Sequence, residues 1–343
     1  MMAGVADSKR PSSAIRLNQL PKRQSGVALM IVILVFALVS ILSVGMYNRQ
    51  SLFVQTASNM LAQKQAYEYA VASEIYGRRL LKADWDEDSE EKEFVDDLEQ
   101  TQNSIVIPVE EALLEAQFND VQGKLNLNDM VNLDGSPNTL MQKRLDRLLN
   151  RLAIDSIKVE MIQDWIDEDQ DPYQFEGSED GDYLAQETPY RTAGQPFQHL
   201  SELLLLQGVT QKDYETLLPF VSVLPQGQAP INVNTAPPEV LQTLFEGMND
   251  QQAEELGSKR ENEPWKDINA LKSDPLVGGL AFDDHYLSVN SEFFEIATRI
   301  TLSERVVRLV SLIYRKQADG EMQVLSRDQG QKYLITKEKI AVP

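Results

Sequence analysis

No charged residue occurs between Arg23 and Arg49, in the stretch "PKRQSGVALMIVILVFALVSILSVGMYNRQ". Its core, Val27 to Val44, is 18 residues long with only Ser40 and Ser43 polar. A helix rises ~1.5 Å per residue, so such a run crosses most of a ~30 Å hydrocarbon layer. The apolar part of a removable signal peptide is shorter, ~7–15 residues, and ends at a small-residue cleavage site. Here Gly45-Met46-Tyr47-Asn48 reads on into more helix. At the front edge, Lys22, Arg23, Gln24, Ser25 and Gly26 form a basic, polar lip against the apolar run. The residues alone allow an uncut single-span anchor, or a cut after Gly26 that leaves the helix on the product.

Lys9, Arg10, Arg16, Lys22 and Arg23 precede the span, with Asp7 the only acid there. Basic flanks stay cytoplasmic, so the chain after the span is expected to face outward. Five bases against one acid give the first 26 residues a net charge of +4. The whole chain carries −21, which leaves −25 from Val27 onward. That charge disfavours phosphate backbones and anionic headgroups. With no cysteine, the chain makes no disulfide and no thiolate chemistry.

The helical pattern does not stop with the apolar run. From Met46 to Lys82 there is no proline, and one continuous helix from Val27 to about Lys82 is expected, roughly 84 Å at ~1.5 Å per residue. Leu52, Thr56, Asn59, Gln63, Ala66, Ala70, Ser73 and Gly77 make a stripe of small and polar groups. Val71, Ile75 and Leu81 lie off it and are expected to pack on a globular body. The acidic run "ADWDEDSEEKEFVDDLEQ" reads as a solvated loop. Strands are expected at Ile105–Val109, in "EAQFNDVQGKLNLND" with Gly123 as the turn, and in "EFFEIATRITL", "RVVRLVSLIYRK" and "MQVLSR", with a turn at Ser303-Glu304. Helical patterns fill the interval between, at Thr139–Leu152, Ser156–Ile166, Ser201–Leu206, Gln211–Leu218, Pro238–Glu246 and Gln251–Leu256. The fold class is therefore α+β: one sheet interrupted by a helical insertion of roughly 160 residues, enough for its own core.

"KLNLNDM" at Lys124–Met130 and "INVNTAPPEVL" at Ile231–Leu241 form a weak internal repeat, apolar-Asn-apolar-Asn before a helix. The second resembles the turn of a helix-hairpin-helix or SAM-like module. Such modules hold nucleic acid through nearby bases, and Gln226 to Gln252 has none, so no nucleic-acid partner is expected. Catalysis is not expected either. His199 and His285 are the only histidines, with no serine elbow, phosphate loop or zinc spacing beside them.

The densest chemistry lies in "DWIDEDQDPYQFEGSEDGDY", nine carboxylates from Asp164 to Asp182 without one base. Repulsion among them falls with screening or with a bound cation. Calcium takes six to eight such oxygens in flexible loops. Asp167-x-Asp169-x-Asp171 opens like an EF-hand, but Pro172 stands where the glycine belongs and Ser178 where the bidentate glutamate belongs, so it is not one. A solvated acidic loop remains the plain alternative. The interleaved Trp165, Ile166, Tyr173, Phe175 and Tyr183 suggest instead a loop packed on a core.

Taken together, "RQSGVALMIVILV", "YEYAVASEIYGRRL", "GKLNLND", "WIDEDQDP…EGSEDGDYL", "PYRTAGQPF", "ELLLLQGVT" and "INVNTAPPEVL" resemble a type IV pilin-like family, the protein K minor pseudopilins of type II secretion systems. The likeness covers Lys22 to about Lys316. It implies a pilin-like long helix on an antiparallel sheet, divided as a cleaved leader 1–26, a membrane half 27–47 and a protruding half 48–83 of the helix. Then come a first part of the sheet at 84–128, an inserted helical domain at 129–290, and C-terminal strands at 291–343. It implies cleavage after Gly26 by a prepilin peptidase and N-methylation of Val27. Most pilin-like subunits carry a glutamate fifth after the cut, to meet the amine of the subunit above. Ile31 stands there, which suits a subunit with nothing above it. The resemblance places such a subunit at the pseudopilus tip, single-pass in the inner membrane with its C-terminal domain periplasmic. Its implied partners are protein I and protein J type minor pseudopilins, the major pseudopilin and the inner-membrane assembly platform. It also implies calcium in the acidic loop, with Asp164, Asp167, Asp169, Asp171, Glu179 and Asp182 as candidate ligands. The rival reading is an uncut, single-span anchored periplasmic protein that binds calcium or a partner.

Overall fold

Helix α1 runs unbroken from Ser25 to Glu91. The structure, a computed structural model, describes residues 25–91, 96, 104–109, 112–302 and 305–330. The leader bases up to Arg23, the Ser303-Glu304 turn and the residues after 330 lie outside these. The chain divides into two units, Met1–Leu61 and Ala62–Pro343.

In the first unit α1 exposes an unbroken apolar surface, with Val27 through Val44 at the front and Leu52, Phe53 and Val54 beyond. By length and composition it is the one helix among the described residues able to cross a membrane.

In the second unit the rest of α1 lies on a five-stranded sheet. Its strands are β1 (Ser104–Val109), β2 (Ala112–Asp120), and three that follow a long insertion. Within the insertion are β3 (Leu125–Asn126), α2 (Thr139–Arg151), α3 (Val159–Ile166), α4 (Asp180–Leu184), α5 (Gln211–Leu217), β4 (Val221–Ser222) and β5 (Ile231–Asn232). It continues with α6 (Pro238–Leu244), β6 (Phe245–Glu246), α7 (Asp250–Asn262), α8 (Ile268–Lys272), β7 (Ala281–Phe282) and β8 (Leu287–Ser288). The sheet resumes with β9 (Phe293–Leu302), β10 (Arg305–Arg315) and β11 (Met322–Asp328). Its order is β1-β2-β9-β10-β11, every neighbouring pair antiparallel.

The helix meets the sheet through its small residues. Ala66, Ala70, Ser73 and Gly77 are buried, and Ala66 and Ala70 pack with Leu114, Ala116, Ile300 and Leu309. A Cβ on Gly77 would stand 2.6 Å from Phe118 Cε1 and 2.8 Å from Ile296 Cδ1. Of the three residues expected to pack off this stripe, Leu81 is buried and Val71 is half-buried against the same cluster, and only the expectation for Ile75 is corrected, because it is exposed. A backbone held this close to the sheet leaves no room for branched side chains. Glu74 is fully buried in the same interface, where Arg327 of β11 donates to both its oxygens at 2.6 and 2.9 Å and Ser311 Oγ donates at 2.8 Å. Burial opposes its charge, but these donors hold its pKa below the usual range.

Two other expectations change. The start of the acidic run is not a loop, because α1 continues to Glu91. Asp84 accepts from Arg315 Nη1 at 2.9 Å and Trp85 Nε1 donates to Gln317 O at 3.1 Å, so the last turns are tied to the end of β10. Residues 124–128 belong to the insertion rather than the first part of the sheet: β3 pairs in parallel with β4, and Gly123 lies against the Thr235 backbone.

The internal repeat is structural. In both copies the first asparagine side chain accepts from the amide two residues on, Asn126 from Asn128 at 3.2 Å and Asn232 from Asn234 at 2.9 Å. Both copies begin with a short strand in a parallel pair, β3 with β4 and β5 with β8. Asn128 then donates to Phe197 O and Leu224 O, and Asn234 to Trp265 O, so each copy pins a later loop. One apolar core spans both, from Leu125 to Val277.

Substituting Gly77→Ala tests the close helix–sheet approach. Alanine gains about 1 kcal/mol of helix propensity, but overpacking against the Phe118 ring costs about 1–3 kcal/mol. A net loss of stability is expected in urea denaturation, and a net gain would refute the contact.

Candidate metal centre

Helix α3 presents its apolar face to the core through Ile162, Trp165 and Ile166, and this fixes Asp164 inside as well. Trp165 is held by Tyr183 edge-on at 5.6 Å and by Phe197 stacked at 6.3 Å. The two ends of the acidic loop therefore close on the core through Trp165, Ile166 and Tyr183, but Tyr173 is only half-buried and the expectation for Phe175 is corrected, since it is 94% exposed at the loop's outer turn. Tyr183 belongs to α4, whose first turn follows Glu179.

That closure brings three of the six candidates together. Ligand oxygens of Asp164, Asp167 and Glu179 all lie within 4.8 Å of one another. The three residues are 0%, 9% and 4% exposed. Tyr173 N donates to both oxygens of Asp164, at 3.0 and 3.2 Å, and Gln163 Nε2 to Asp167 Oδ2 at 3.4 Å. Asp167 Oδ1 and both oxygens of Glu179 are buried without a hydrogen-bond partner. Gly177 permits the approach: a Cβ there would stand 2.3 Å from Asp164 Oδ2 and 2.6 Å from the Tyr173 backbone.

The other three candidates lie outside this group and are exposed. Asp169 Oδ1 accepts from Asp171 N at 2.9 Å, and Asp182 Oδ2 accepts from Glu179 N at 3.3 Å. Asp180 is committed to Arg191 and Thr192. Asp169 still acts through its charge. Burial, followed by the charges of Asp164, Asp167, Asp169 and Asp180, pushes Glu179 up to about 8. Burial likewise pushes Asp164 up to about 6 against the Tyr173 N–H, with Asp167 and Asp169 adding to it. Asp167 is raised by burial and by Asp169.

Three inward carboxylates with unmet lone pairs form a hard, all-oxygen donor set. Oxygens on opposite sides of a calcium ion, each ~2.3–2.6 Å from it, stand ~4.6–5.2 Å apart, so this cluster fits one such ion. The second acidic group, Asp283, Asp284 and His285, is exposed and already partnered: His285 Nδ1 lies 2.6 Å from Asp283 Oδ1, and Lys272 pairs with Asp284. His199 caps the short helix Leu200–Leu205, accepting from Ser201 N at 3.1 Å. Spacing gave no signal for the Tyr173 amide, for Gln163 or for the bare Cα of Gly177.

A long apolar-to-amphipathic helix laid on an antiparallel sheet, with a helical domain inserted between its second and third strands, defines a pilin-like subunit. Models of the type II secretion system (T2SS) protein K family match residues 123–226 and 231–290, nearly the whole insertion. Type II secretion system protein K of Pseudomonas aeruginosa is 34% identical over 320 residues, 90% of this chain and 93% of the relative. That of Aeromonas hydrophila is 29% identical over 334 residues, 90% of this chain and 98% of the relative. In fold, the chain is similar to one in the GspK-GspI-GspJ complex of the enterotoxigenic Escherichia coli type 2 secretion system. That match has a TM-score of 0.68 and 24% identity, and covers 80% of this chain and 99% of the other. The chain belongs to the type II secretion system protein K family, the protein K minor pseudopilins.

The raised carboxyls set the pH response of the metal-free protein. A carboxyl whose folded pKa exceeds its unfolded value contributes stability that is complete below the unfolded value and is lost as pH rises through the folded one. For Glu179 that window runs from 4.5 to about 8. Melting temperature in a chelator is therefore expected to fall between pH 5 and 8, and Glu179→Gln is expected to flatten the slope. An unchanged slope would remove Glu179 from the cluster.

Proposed function

We propose that this chain is the tip subunit of a type II pseudopilus, cut after Gly26 and methylated at Val27, and that it initiates or caps assembly for export of folded proteins. The observation that carries the tip position is Ile31, fifth after Gly26, where an inner subunit needs an acid to meet a neighbour's amine. An unpaired amine inside an apolar helix bundle costs several kcal/mol, by order of magnitude. A terminal subunit meets no such amine. The insertion, bulky and carried on the sheet, is consistent with a cap. The basic residues before the span favour a cytoplasmic N-terminus and a periplasmic domain at the inner membrane. Protein I and protein J type subunits are the proposed neighbours, by analogy with the E. coli complex named above. The major pseudopilin, the prepilin peptidase and the assembly platform complete the expected partners. No catalytic role is assigned.

Calcium is the proposed ion of the acidic loop, held by Asp164, Asp167 and Glu179, with carbonyls and water filling its shell. Bound there it would supply positive charge to a buried acidic group and fix the loop between α3 and α4. Its role is structural.

Intact-mass measurement on protein from cells with the peptidase separates this reading from an uncut anchor. The wild type is expected to start at methylated Val27, and Gly26→Ala to retain the leader; a wild type starting at Met1 would refute the cleavage. Calcium at ~100 times its dissociation constant should stabilise the fold by ~2.7 kcal/mol. Thermal melts in calcium, magnesium and chelator should show this for the wild type, weakly with magnesium, and not for Asp167→Asn/Glu179→Gln. Equal melting temperatures for the wild type in calcium and chelator would return the loop to a solvated acidic surface.

A further inference from the structure

Where the chain leaves β2 for the insertion, a cleft of about 680 Å³ opens between the inserted domain and the sheet. Leu200, Leu204 and Leu218 line it from the insertion, and Val310 and Leu312 from β10. Its size is that of a ligand site, and it shares no residue with the carboxylate cluster. Most of the charged side chains on its walls are already committed. Glu295 accepts from Asn119 Nδ2 at 3.0 Å, Arg327 donates to Glu74, and His199 Nε2 lies 3.2 Å from Asp328 Oδ2. Lys124 is different. It sits between β2 and β3, half-buried on the cleft wall, and its ammonium makes no hydrogen bond or ion pair among the described residues. Burial lowers its pKa, and the charges of Glu295 and Asp120 work against that shift. Ser222, on the same wall, has its Oγ buried without a hydrogen-bond partner.

We propose that this cleft binds a free single-chain amphiphile, an acyl chain ending in a carboxylate, with its head at Lys124 and its tail along the leucines and valines. The two ends of the ligand follow from the two kinds of wall. A wholly polar ligand would lose its hydration against Leu200, Leu218, Val310 and Leu312 with nothing to replace it. A wholly apolar one would cover the Lys124 ammonium and leave it unmet. A carboxylate placed beside Lys124 favours its charged form, and so reverses the effect of burial on that side chain. Lys124 is thus a cation held in reserve at an apolar site, which sets it apart from Arg327, already spent on Glu74. Leu204 is an exposed side chain on the cleft wall, so it can be enlarged without disturbing the core.

Diazirine-labelled dodecanoic acid and dodecanol, alike except at the head, test this on full-length protein in lipid nanodiscs, with cross-links mapped by peptide mass spectrometry. Mapping separates labelling in the cleft from labelling of the membrane half of α1. The acid is expected to label the peptides carrying Leu204 and Leu312 about tenfold more than the alcohol does, the worth of one hydrogen bond to a charged group. Lys124→Met, with its fold checked by melting temperature, is expected to label equally with both probes. Leu204→Trp is expected to cut labelling of the Leu312 peptide severalfold by filling the cleft. Cross-links confined to α1, or equal labelling by acid and alcohol in the wild type, would overturn the proposal whatever the variants do. So would a folded Lys124→Met that keeps the preference for the acid, or Leu204→Trp labelled at Leu312 as strongly as the wild type.

Discussion

Arg315 is buried to 1% exposure at the end of β10, and the rest of the second unit is arranged around keeping its charge satisfied. Nη2 donates to both oxygens of Asp96, at 2.6 and 2.8 Å, and to Ser291 O at 3.1 Å. Nη1 donates to Asp84 at 2.9 Å and to Leu81 O at 3.3 Å, and the guanidinium lies 4.5 Å from the Phe294 ring. Burial alone would lower its pKa, but Asp96 and Asp84 raise it. A buried ion that loses its partner costs about 3–5 kcal/mol. The last turns of α1, the segment at Asp96, the chain returning from the insertion and β10 are therefore fixed by a single side chain.

A second buried carboxylate extends this junction to the insertion. Asp120, at the end of β2, accepts from Ser291 Oγ at 2.6 Å, Thr235 Oγ1 at 2.5 Å and Asn232 Nδ2 at 3.0 Å. Burial still pushes it up to about 6 against these donors. Gln122 joins the two ends of the insertion, donating to Pro230 O at 2.8 Å and accepting from Glu292 N and Phe293 N. The sheet thus sees the insertion as a closed loop whose ends are held together, which is why so long an interruption leaves the pairing of β2 with β9 regular. The second copy of the asparagine repeat does double duty here, since Asn232 both shapes its own turn and binds Asp120 and Ser291.

What the sequence made legible follows the range of the interaction involved. Periodicity is local, so "EFFEIATRITL" and "RVVRLVSLIYRK" gave β9 and β10 almost to the residue, and most inserted helices were found within a few positions. Five-residue α4 and α8 carry too little pattern to be seen. The α1 interface misled for a different reason. Apolar content pointed to Ile75, which is exposed, but a helix pressed on a sheet buries whatever lets it come close, here Ala66, Ala70 and Gly77. The extension of α1 through Asp84 and Trp85 depends on Arg315 and Gln317, some 230 residues away. Of the acidic loop, composition marked the region, whereas the choice of Asp164, Asp167 and Glu179 from nine carboxylates rests on the aromatic packing that turns the loop inward.

Comparing the buried acids shows what sets that loop apart. Glu74 has Arg327, Asp96 has Arg315, and Asp120 has two hydroxyls and an amide; each is buried together with donors distant in the chain. Asp164 has only the backbone N–H groups of Tyr173 and Ser178 from its own loop, and the Glu179 side chain has no donor among the described residues. The fold is thus able to recruit arginines over long distances to neutralise buried charge, yet at Asp164, Asp167 and Glu179 it brings like charges together instead. Burial without a protein cation raises the cost of ionising all three, and that cost falls only when a proton or a metal ion enters. The calcium proposal rests on this imbalance rather than on the abundance of acid in the loop.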